Sequence, residues 1–397
     1  MPLSSAAFAI VHATVLPISG PALSDTPVIV DGGKIVQVGG EVPTGLTTLD
    51  ASGQYLMPGL IDLHSHMGVY PWPGGSGNSD GNEATSPFTP RVWAKDSFDP
   101  EDPAIPRARA GGVTTIQVLP GSANLIGGQA VVLKLRPSRT VDPMVFAEAP
   151  RSIKMACGEN PKRVYGESTD DDQVQTRMGE IAMLRQELQK AKEYSAARTG
   201  KAPPPADLDL DVLSDVLAGK IRVNLHCYQS HDIAGWFRVA DEFGFRIVTI
   251  HHALEAYKVR DLLAAHGTGI ATWPDWWGFK LEAWDGIPEG AALVSSVGVP
   301  VATHSDSASH IQRFNIEAAK MVRYGMTEAD ALESITLDPA RLLGVDSLVG
   351  SIEVGKTADL ALFDKFPLDG TSRCMRTWVD GAVVYDRAQE GTPNGPR

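Results

Sequence analysis

The sequence predicts an α/β fold, a (β/α)8 TIM barrel with a small β-sandwich domain composed of both chain termini. Eight short apolar runs follow one another in the middle of the chain, and eight is the number of strands in this kind of barrel. Both chain ends are instead rich in short β-runs with glycine-containing turns. At 397 residues the chain is long enough for a barrel of about 250 residues and a smaller second domain.

Turn signals locate the expected second domain at the two chain ends. Asp31-Gly32-Gly33 separates two β-rich runs near the amino terminus, and Asp380-Gly381 does so near the carboxyl terminus. Such Asp-Gly steps between alternating apolar runs are typical of β-hairpins. We therefore expect residues 1–56 and 346–397 to form a composite β-sandwich domain, and residues 57–345 to form the (β/α)8 barrel.

The middle of the chain alternates as a barrel does. The expected barrel strands are 60–66, 113–119, 130–135, 152–156, 221–226, 246–252, 269–273 and 299–306. A helical period over 175–194 predicts an outer helix, and the proline-rich segment 198–206 predicts a linker after it. Residues 68–106 have no period and are rich in Pro, Gly, Asn, Asp and Ser. Because a long irregular connection is usually functional or disordered, we interpret it as a substrate loop at the catalytic face.

Composition narrows the classes of partner. The formal net charge of −13 argues against nucleic acid or an anionic membrane as the main partner, and it neither selects nor excludes a charged small-molecule substrate. Three cysteines predict no disulfide framework and suit a reducing compartment. There is no convincing secretory signal and no run of 18 apolar residues, so a cytoplasmic location is expected. Oligomeric state is left open, a homo-oligomer included.

Polar residues close several of the apolar runs. His64 and His66 lie one residue apart, so on a strand both imidazoles point to the same face. His226, the pair His251-His252, and Asp306 end later runs. Each has a bland explanation, such as a helix cap for Asp306. Because strand ends converge at one face of a barrel, their joint occurrence predicts a site for one or two divalent metal ions.

These residues, in this order, resemble the amidohydrolase superfamily of metal-dependent hydrolases. The segments that carry the resemblance are PGLIDLHSH at 58–66, GGVTT at 111–115, GVPVATHSD at 298–306, LDPARLLG at 337–344 and GSIEVGKTADL at 350–360. The sequence is most similar to the branch that includes imidazolonepropionase-like and peptide- or N-acyl-cleaving members. The resemblance implies a barrel with a β-sandwich and covers nearly the whole chain.

The resemblance also implies a ligand set. The expected metal ligands are His64, His66, Glu159, His226, His252 and Asp306. At the fourth strand many relatives carry a carboxylated lysine, so Lys154 is the alternative to Glu159. Only one of the two adjacent strand residues His251 and His252 is expected to face inward, and the resemblance favours His252. Zinc suits imidazole and carboxylate ligands, while manganese, iron and nickel stay open.

The expected chemistry is hydrolysis of an amide-type C–N bond in a cyclic amide, dipeptide or N-acyl amino acid. A metal lowers the pKa of bound water from ~15.7 towards ~7, and Asp306 is the expected catalytic residue that takes the proton and passes it to the leaving amine. The alternatives are a hydrolytic deaminase of a heterocycle and a metal-free scaffold of the same fold. Gln229 counts against the first, since deaminase relatives carry glutamate there, and the retained histidines count against the second.

An aromatic segment follows the seventh strand. Four of the eight tryptophans of the chain lie between positions 273 and 284, where they could wall a substrate pocket or pack among themselves. The candidate substrate-binding residues are Trp273, Trp276, Trp277, Lys280, His304 and Tyr228.

Overall fold

The computed structural model describes residues 6–167, 173–276 and 278–390. The strands are β1 (Phe8–Val11), β2 (Thr14–Val15), β3 (Val28–Asp31), β4 (Lys34–Val38), β5 (Thr47–Asp50), β6 (Tyr55–Pro58), β7 (Leu60–Ser65), β8 (Val113–Val118), β9 (Ile126–Lys134), β10 (Ser152–Ala156), β11 (Arg222–Cys227), β12 (Ile247–His252), β13 (Gly269–Thr272), β14 (Val301–Thr303), β15 (Leu360–Phe363), β16 (Cys374–Val379) and β17 (Ala382–Asp386). The helices are α1 (Ala104–Ala110), α2 (Glu159–Tyr165), α3 (Arg177–Arg198), α4 (Leu208–Leu217), α5 (Ser230–Phe243), α6 (Arg260–His266), α7 (Gly290–Ser295), α8 (Phe314–Arg323), α9 (Glu328–Glu333) and α10 (Leu337–Leu343).

Strands β7 to β14 form one eight-stranded sheet in which each strand pairs with its neighbour in sequence. All eight correspond to the apolar runs in the sequence. Every residue of β7, β8, β9 and β10 is buried, which is why these strands appear as continuous apolar runs rather than alternating ones. The sheet is a nearly closed barrel: at its seam the Asp306 amide donates a hydrogen bond to the His64 carbonyl at 3.2 Å.

The barrel departs from the predicted (β/α)8 pattern at β9. This strand runs antiparallel to both β8 and β10, whereas the other paired strands of the barrel are parallel. Only residues 119–125 connect β8 to β9, and a parallel return needs a connection of a dozen or more residues. The short connection therefore turns the strand back on its neighbour and leaves no room for a helix between the two.

The chain ends form two further sheets. Their strand orders are β4-β3-β1-β5 and β17-β16-β15-β6-β2, and the second sheet joins strands from both ends of the chain. Both predicted hairpin turns lie where expected, between β3 and β4 and between β16 and β17. Side chains of both sheets share one buried cluster that includes Ile10, Val30, Leu56, Leu362 and Trp378. The division of the chain into two domains stays a prediction.

The helix and the long loop that were predicted outside the barrel strands are both present in the structure. The predicted helix over 175–194 is α3, which begins at Arg177 because Thr176 caps it by accepting from the Gly179 amide. Residues 68–103 contain no α-helix or strand, only two short 3₁₀ turns, as expected for the loop after β7. None of the helices in the described residues is long and apolar enough to cross a membrane.

Candidate metal centre

Three ligand atoms from opposite sides of the barrel seam converge at the carboxyl ends of the strands. His64 Nε2 lies 3.2 Å from His66 Nε2. Asp306 Oδ1 lies 3.6 Å from the first of these nitrogens and 3.4 Å from the second. His64 and His66 come from β7 and the turn after it, and Asp306 follows β14, so closure of the barrel brings the three together.

Neighbouring groups fix the orientation of this pair of imidazoles. The Nδ1 atom of His66 lies 2.8 Å from the Leu119 carbonyl oxygen, to which it donates, so its Nε2 carries the free lone pair. Asp62 is fully buried and accepts hydrogen bonds from the His64 amide at 3.1 Å and from the Ser305 hydroxyl at 2.5 Å. Asp62 therefore ties β7 to the segment after β14. Sequence reasoning missed it, although its position two residues before His64 puts it on the ligand face.

Both histidines at the end of β12 approach the site, contrary to the prediction that only one faces inward. The ring centroids of His251 and His252 each lie 4.8 Å from that of His64. His252 has a left-handed backbone, with φ of 69°, and this ends the strand alternation at that residue. The roles still differ. His251 Nε2 donates to Asn224 Oδ1 at 3.0 Å, whereas His252 Nδ1 is buried without a hydrogen-bond partner among the described residues.

His226, from β11, completes the ring of imidazoles around the site. Its Nδ1 atom lies 2.8 Å from the Ser122 hydroxyl, and its Nε2 accepts from the Asn160 amide at 3.3 Å. The His226 ring centroid lies 4.5 Å from that of His252. Both histidines line a cavity of about 290 Å³. The polar and aromatic residues that also line this cavity are His66, Tyr70, Asn82, Ser122, Asn160, Arg163, Tyr228 and Asp306.

Burial sets the protonation state of the cluster. It is the main cause that lowers the pKa of each imidazole below its ordinary value, to about 3 for His66, and the positive charge of Lys154 lowers it further. The imidazoles are therefore neutral at pH 7 and have lone pairs to offer a metal. Burial also raises the pKa of Asp306 to about 7, opposed by the charge of Lys154.

The two candidates at the fourth barrel strand have different surroundings. Lys154 lies on β10, is fully buried, and its Nζ contacts the Pro120 carbonyl at 3.4 Å. Burial lowers the pKa of its amine to about 7, and the nearby Asp306 carboxylate opposes this shift. Glu159, the residue preferred from the sequence, begins α2 and pairs with Lys280 at 3.2 Å. It starts a helix rather than ending the strand, so its carboxylate is directed to Lys280 rather than to the imidazoles.

The predicted substrate-binding residues lie in different surroundings. Tyr228 lines the cavity, while Lys280 sits 4.0 Å above the Tyr228 ring and pairs with Glu159 and Glu282. Trp273 stacks on His252 with ring centroids 4.6 Å apart, and Trp276 stacks on Trp273 at 5.1 Å. These indoles therefore back the imidazoles rather than line the cavity. Trp277 lies outside the described residues.

His304 is fully buried behind the cavity, with its ring centroid 4.9 Å from that of His64.

The loop after β7 supplies two cavity residues that sequence reasoning did not single out. The Tyr70 ring centroid lies 5.5 Å from that of His66, and the Tyr70 hydroxyl accepts a hydrogen bond from the Asn82 amide. Asn82 Oδ1 in turn accepts from the Ala123 amide at 3.1 Å. The sequence indicated a substrate loop over 68–106, but its irregular pattern gave no register from which to choose these residues.

The cysteines depart from the expectation that no disulfide forms. Cys157 and Cys227 are bonded to each other, with Cα atoms 5.4 Å apart. Cys157 directly follows β10, and Cys227 is the last residue of β11. These two strands pair in parallel, and both cysteines are buried. Cys374 is free and buried. Two cysteines 70 positions apart meet only because the sheet aligns these strand ends, so their count alone did not predict the pairing.

Comparison with known proteins agrees with this geometry. Residues 153–386 match the model of the amidohydrolase family. A crystal structure of an amidohydrolase from Thermotoga maritima MSB8 superposes with a TM-score of 0.89 and 39% identity, over 96% of this chain and 100% of that one. An imidazolonepropionase of Cupriavidus taiwanensis is 24% identical over 404 residues, covering 89% of this chain and 88% of the relative.

Amidohydrolase tasK of Hapsidospora irregularis is 34% identical over 392 residues, covering 90% of this chain. The chain spans 40% of the length of that relative. The family match and the superposition agree with the barrel and with the convergence of histidines and Asp306 at its strand ends. The chain therefore belongs to the amidohydrolase family, whose members are hydrolases that act on carbon–nitrogen bonds.

Proposed function

We propose that this protein is a metal-dependent amidohydrolase that hydrolyses an amide-type C–N bond of a small-molecule substrate. The observation that carries the proposal is the convergence of His64 Nε2, His66 Nε2 and Asp306 Oδ1, which lie 3.2–3.6 Å apart beside a cavity of about 290 Å³. Neutral buried imidazoles that face one another and a carboxylate form the donor set of a zinc-type site.

The donor atoms fit a divalent metal, with Zn²⁺ favoured. Among the described residues, His252 Nδ1 is buried without a hydrogen-bond partner, which is costly unless a ligand satisfies it. The residues that would hold the metal are His64, His66, His226, His252 and Asp306. A metal bound there acts as a Lewis acid that lowers the pKa of water and polarises a carbonyl.

Lys154 is the residue of the fourth strand that we assign to the metal site, in place of Glu159. The amine is fully buried among the imidazoles, and its lowered pKa of about 7 leaves a large unprotonated fraction at neutral pH. An unprotonated amine can add to CO₂, with loss of one proton, to give a carbamate whose oxygens would be donors for a divalent metal. A native mass spectrum with one added CO₂, absent in Lys154→Met, would support this assignment.

Asp306 is the residue that we expect to move protons. Burial holds its pKa at about 7, which is close to the optimum for a general acid–base at neutral pH. Its carboxylate would accept a proton from the attacking water and donate it to the leaving nitrogen. The left-handed backbone of Asp306, with φ of 46°, directs the side chain back over His64 and His66.

The cavity favours a substrate with a carboxylate, such as a dipeptide or N-acyl amino acid, over an uncharged cyclic amide. Arg163 lines the cavity, and no carboxylate pairs with it in the described part of the chain. Lys280, by contrast, is neutralised by Glu159 and Glu282 and braces Tyr228. We therefore expect Arg163 to meet the substrate carboxylate and Tyr228 to contact the scissile amide.

A heterocycle deaminase is less well supported. The side chain at the position where such relatives carry a glutamate, Gln229, accepts a hydrogen bond from Arg177 at 2.8 Å and cannot shuttle a proton. A metal-free scaffold does not explain why His252 Nδ1 is buried without a hydrogen-bond partner among the described residues.

Metal analysis of purified protein, followed by assays with Zn²⁺, separates these possibilities. We expect one or two ions per chain and amine release from dipeptides or N-acyl amino acids. Ammonia release from heterocyclic amines would support the deaminase instead, and protein that takes up no metal would overturn the proposal. Arg163→Gln should raise KM for acidic substrates and leave KM for their C-terminal amides unchanged.

A further inference from the structure

His304 is a histidine of the cluster that has no established use in the site as described so far. It follows β14, is fully buried, and neither of its ring nitrogens has a hydrogen-bond partner among the described residues. A neutral imidazole has one donor and one acceptor nitrogen, and leaving both unsatisfied in the interior costs several kcal/mol in general, about 1–3 per group. Such a residue needs a partner that is not a protein side chain.

The surroundings of His304 indicate which partner fits. Its ring centroid lies 4.9 Å from that of His64 and 5.1 Å from that of His252. Ligand nitrogens of these three histidines all lie within 4.8 Å of one another. The Trp273 ring centroid also lies 4.4 Å away, and both side chains are buried. The His304 ring is therefore packed between the imidazoles of the candidate metal site and a buried indole.

His251 provides the contrast within the same cluster. It is equally buried, yet its Nε2 donates to Asn224 Oδ1 at 3.0 Å and its Nδ1 faces His64 Nδ1 at 2.9 Å. Both of its nitrogens face buried protein groups, so we expect it to orient His64. His226 also has two partners, but its Nε2 meets only the Asn160 side chain, at 3.3 Å, in the cavity lining. His304 has no such bonds among the described residues, so the lone pair of its acceptor nitrogen is free to bind a metal.

We propose that His304 is an additional ligand of the metal centre, so that His64, His252 and His304 supply three imidazoles to one ion. The inference rests on the proposed metal-dependent function and goes beyond the ligand set that the family resemblance implies. His304 binds metal rather than substrate, since it lies behind the cavity and not in its lining. An extra imidazole shifts the site towards zinc, copper or nickel and away from manganese and magnesium, which prefer oxygen ligands.

The test uses the full-length protein, stripped with a chelator and titrated with Zn²⁺. In His304→Leu we expect the affinity for one ion to fall at least about 100-fold, more than the 10–100-fold typical when only a residue that orients a ligand is removed. The stripped variant should be at least as stable as stripped wild type, because an unsatisfied buried imidazole is gone. A purely structural role would instead lower the melting temperature of the stripped protein.

The matched control is His310→Leu. His310 is partly buried beside Trp276, with ring centroids 5.1 Å apart, and belongs to none of the ligand groups around His64. The affinity of the His310→Leu variant for zinc should equal that of wild type. Co²⁺-substituted protein adds a spectroscopic readout, since loss of an imidazole in His304→Leu changes the d–d absorption.

The outcomes separate this inference from the proposed function. Wild type that binds no metal overturns both. Wild type that binds metal, with a His304→Leu variant of equal affinity and unchanged Co²⁺ spectrum, overturns the inference alone. If His304→Leu fails to fold, X-ray absorption of zinc-loaded wild type and zinc-loaded His304→Gln decides the matter, because the inference requires fewer imidazoles per zinc in the variant and an unchanged count contradicts it.

Discussion

Two buried lysines on neighbouring strands of the barrel have opposite surroundings. Lys134 on β9 is 1% exposed, and its Nζ lies 3.1 Å from Asp359 Oδ1 and in contact with Asp380, which also pairs with Arg136 at 2.6 Å. Lys154 on β10 is fully buried, yet its Nζ has only the Pro120 carbonyl, at 3.4 Å, as a hydrogen-bond partner in the described residues.

The difference teaches how to distinguish a structural ionic group from a functional one. The cluster around Lys134 joins β9 to the loops that border β15 and β17, and its charges are paired. Around Lys154, burial outweighs the opposing charge of Asp306, so the pKa of the amine falls to about 7. A buried charge that is not neutralised within the fold is a candidate for a ligand that the chain binds.

The largest expected effect is on catalysis and concerns Asp306, whose charge interacts with that of Lys154. Asp306→Asn should lower kcat by at least about 10³-fold, because the amide cannot accept a proton, while the free energy of unfolding changes little. Steady-state kinetics and chemical denaturation measure the two quantities. Asp380→Asn in the Lys134 cluster is the matched control, for which we expect lower stability and wild-type kcat. A fully active Asp306→Asn enzyme would remove this residue from the mechanism.

The next effect is on stability, at the Lys134 side. Lys134→Met should lower the free energy of unfolding by about 3–5 kcal/mol, because it leaves the buried Asp359 without its cation. Metal content should stay at the wild-type value. Adding Asp359→Asn should recover part of the loss by removing the stranded charge. If Lys134→Met were as stable as wild type, the distinction drawn between the two lysines would not hold.

Lys154→Met should have the converse effect. The stripped variant should be as stable as stripped wild type or more so, since a poorly satisfied buried amine is replaced by an apolar side chain of similar size. Its metal content should fall by about one ion per chain, whereas Lys154→Glu should retain part of it and Glu159→Gln all of it. Elemental analysis checks this, and loss of metal in Glu159→Gln but not in Lys154→Met would reverse the assignment.

The sequence was sufficient to predict the barrel strands and the residues that end them. Convergence at one site could be predicted for His64, His66, His226, His252 and Asp306, because parallel strands bring their carboxyl ends to one face of the barrel. This prediction does not depend on the conformation of the loops. The number of barrel strands and both terminal hairpin turns could also be predicted, because apolar runs and Asp-Gly steps are local sequence patterns.

What the sequence could not provide depends on departures from regular backbone geometry. Alternation along β12 predicted one inward histidine, but the positive φ of His252 brings both rings to His64. Spacing placed Glu159 at the end of β10, but the chain has already entered α2 at that point. The pairing of Cys157 with Cys227 depends on strand order, which no count of cysteines contains.

Glu180 is a buried ionisable group whose surroundings are intermediate between those of Lys134 and Lys154. Its substitution has the smallest effect among these predictions. It is 1% exposed on α3, where its Oε2 accepts from the Gly158 amide at 3.0 Å and its Oε1 has no hydrogen-bond partner among the described residues. Burial raises the pKa of its carboxyl from 4.5 to about 7, although the Gly158 hydrogen bond opposes this. Above pH 4.5 the unfolded chain releases this proton while the folded chain retains it, so the group costs stability as pH rises towards 7.

Glu180→Gln should remove that cost and keep the bond to Gly158, because the amide oxygen still accepts. Its free energy of unfolding should equal that of wild type below pH 4.5 and exceed it by about 1–3 kcal/mol at pH 8, with the difference developing between these limits. Glu193→Gln, an exposed position on the same helix, should stay within about 0.5 kcal/mol of wild type at every pH. Denaturation curves across this range measure both, and a Glu180→Gln gain that is independent of pH would show that the cost at this position does not arise from its titration.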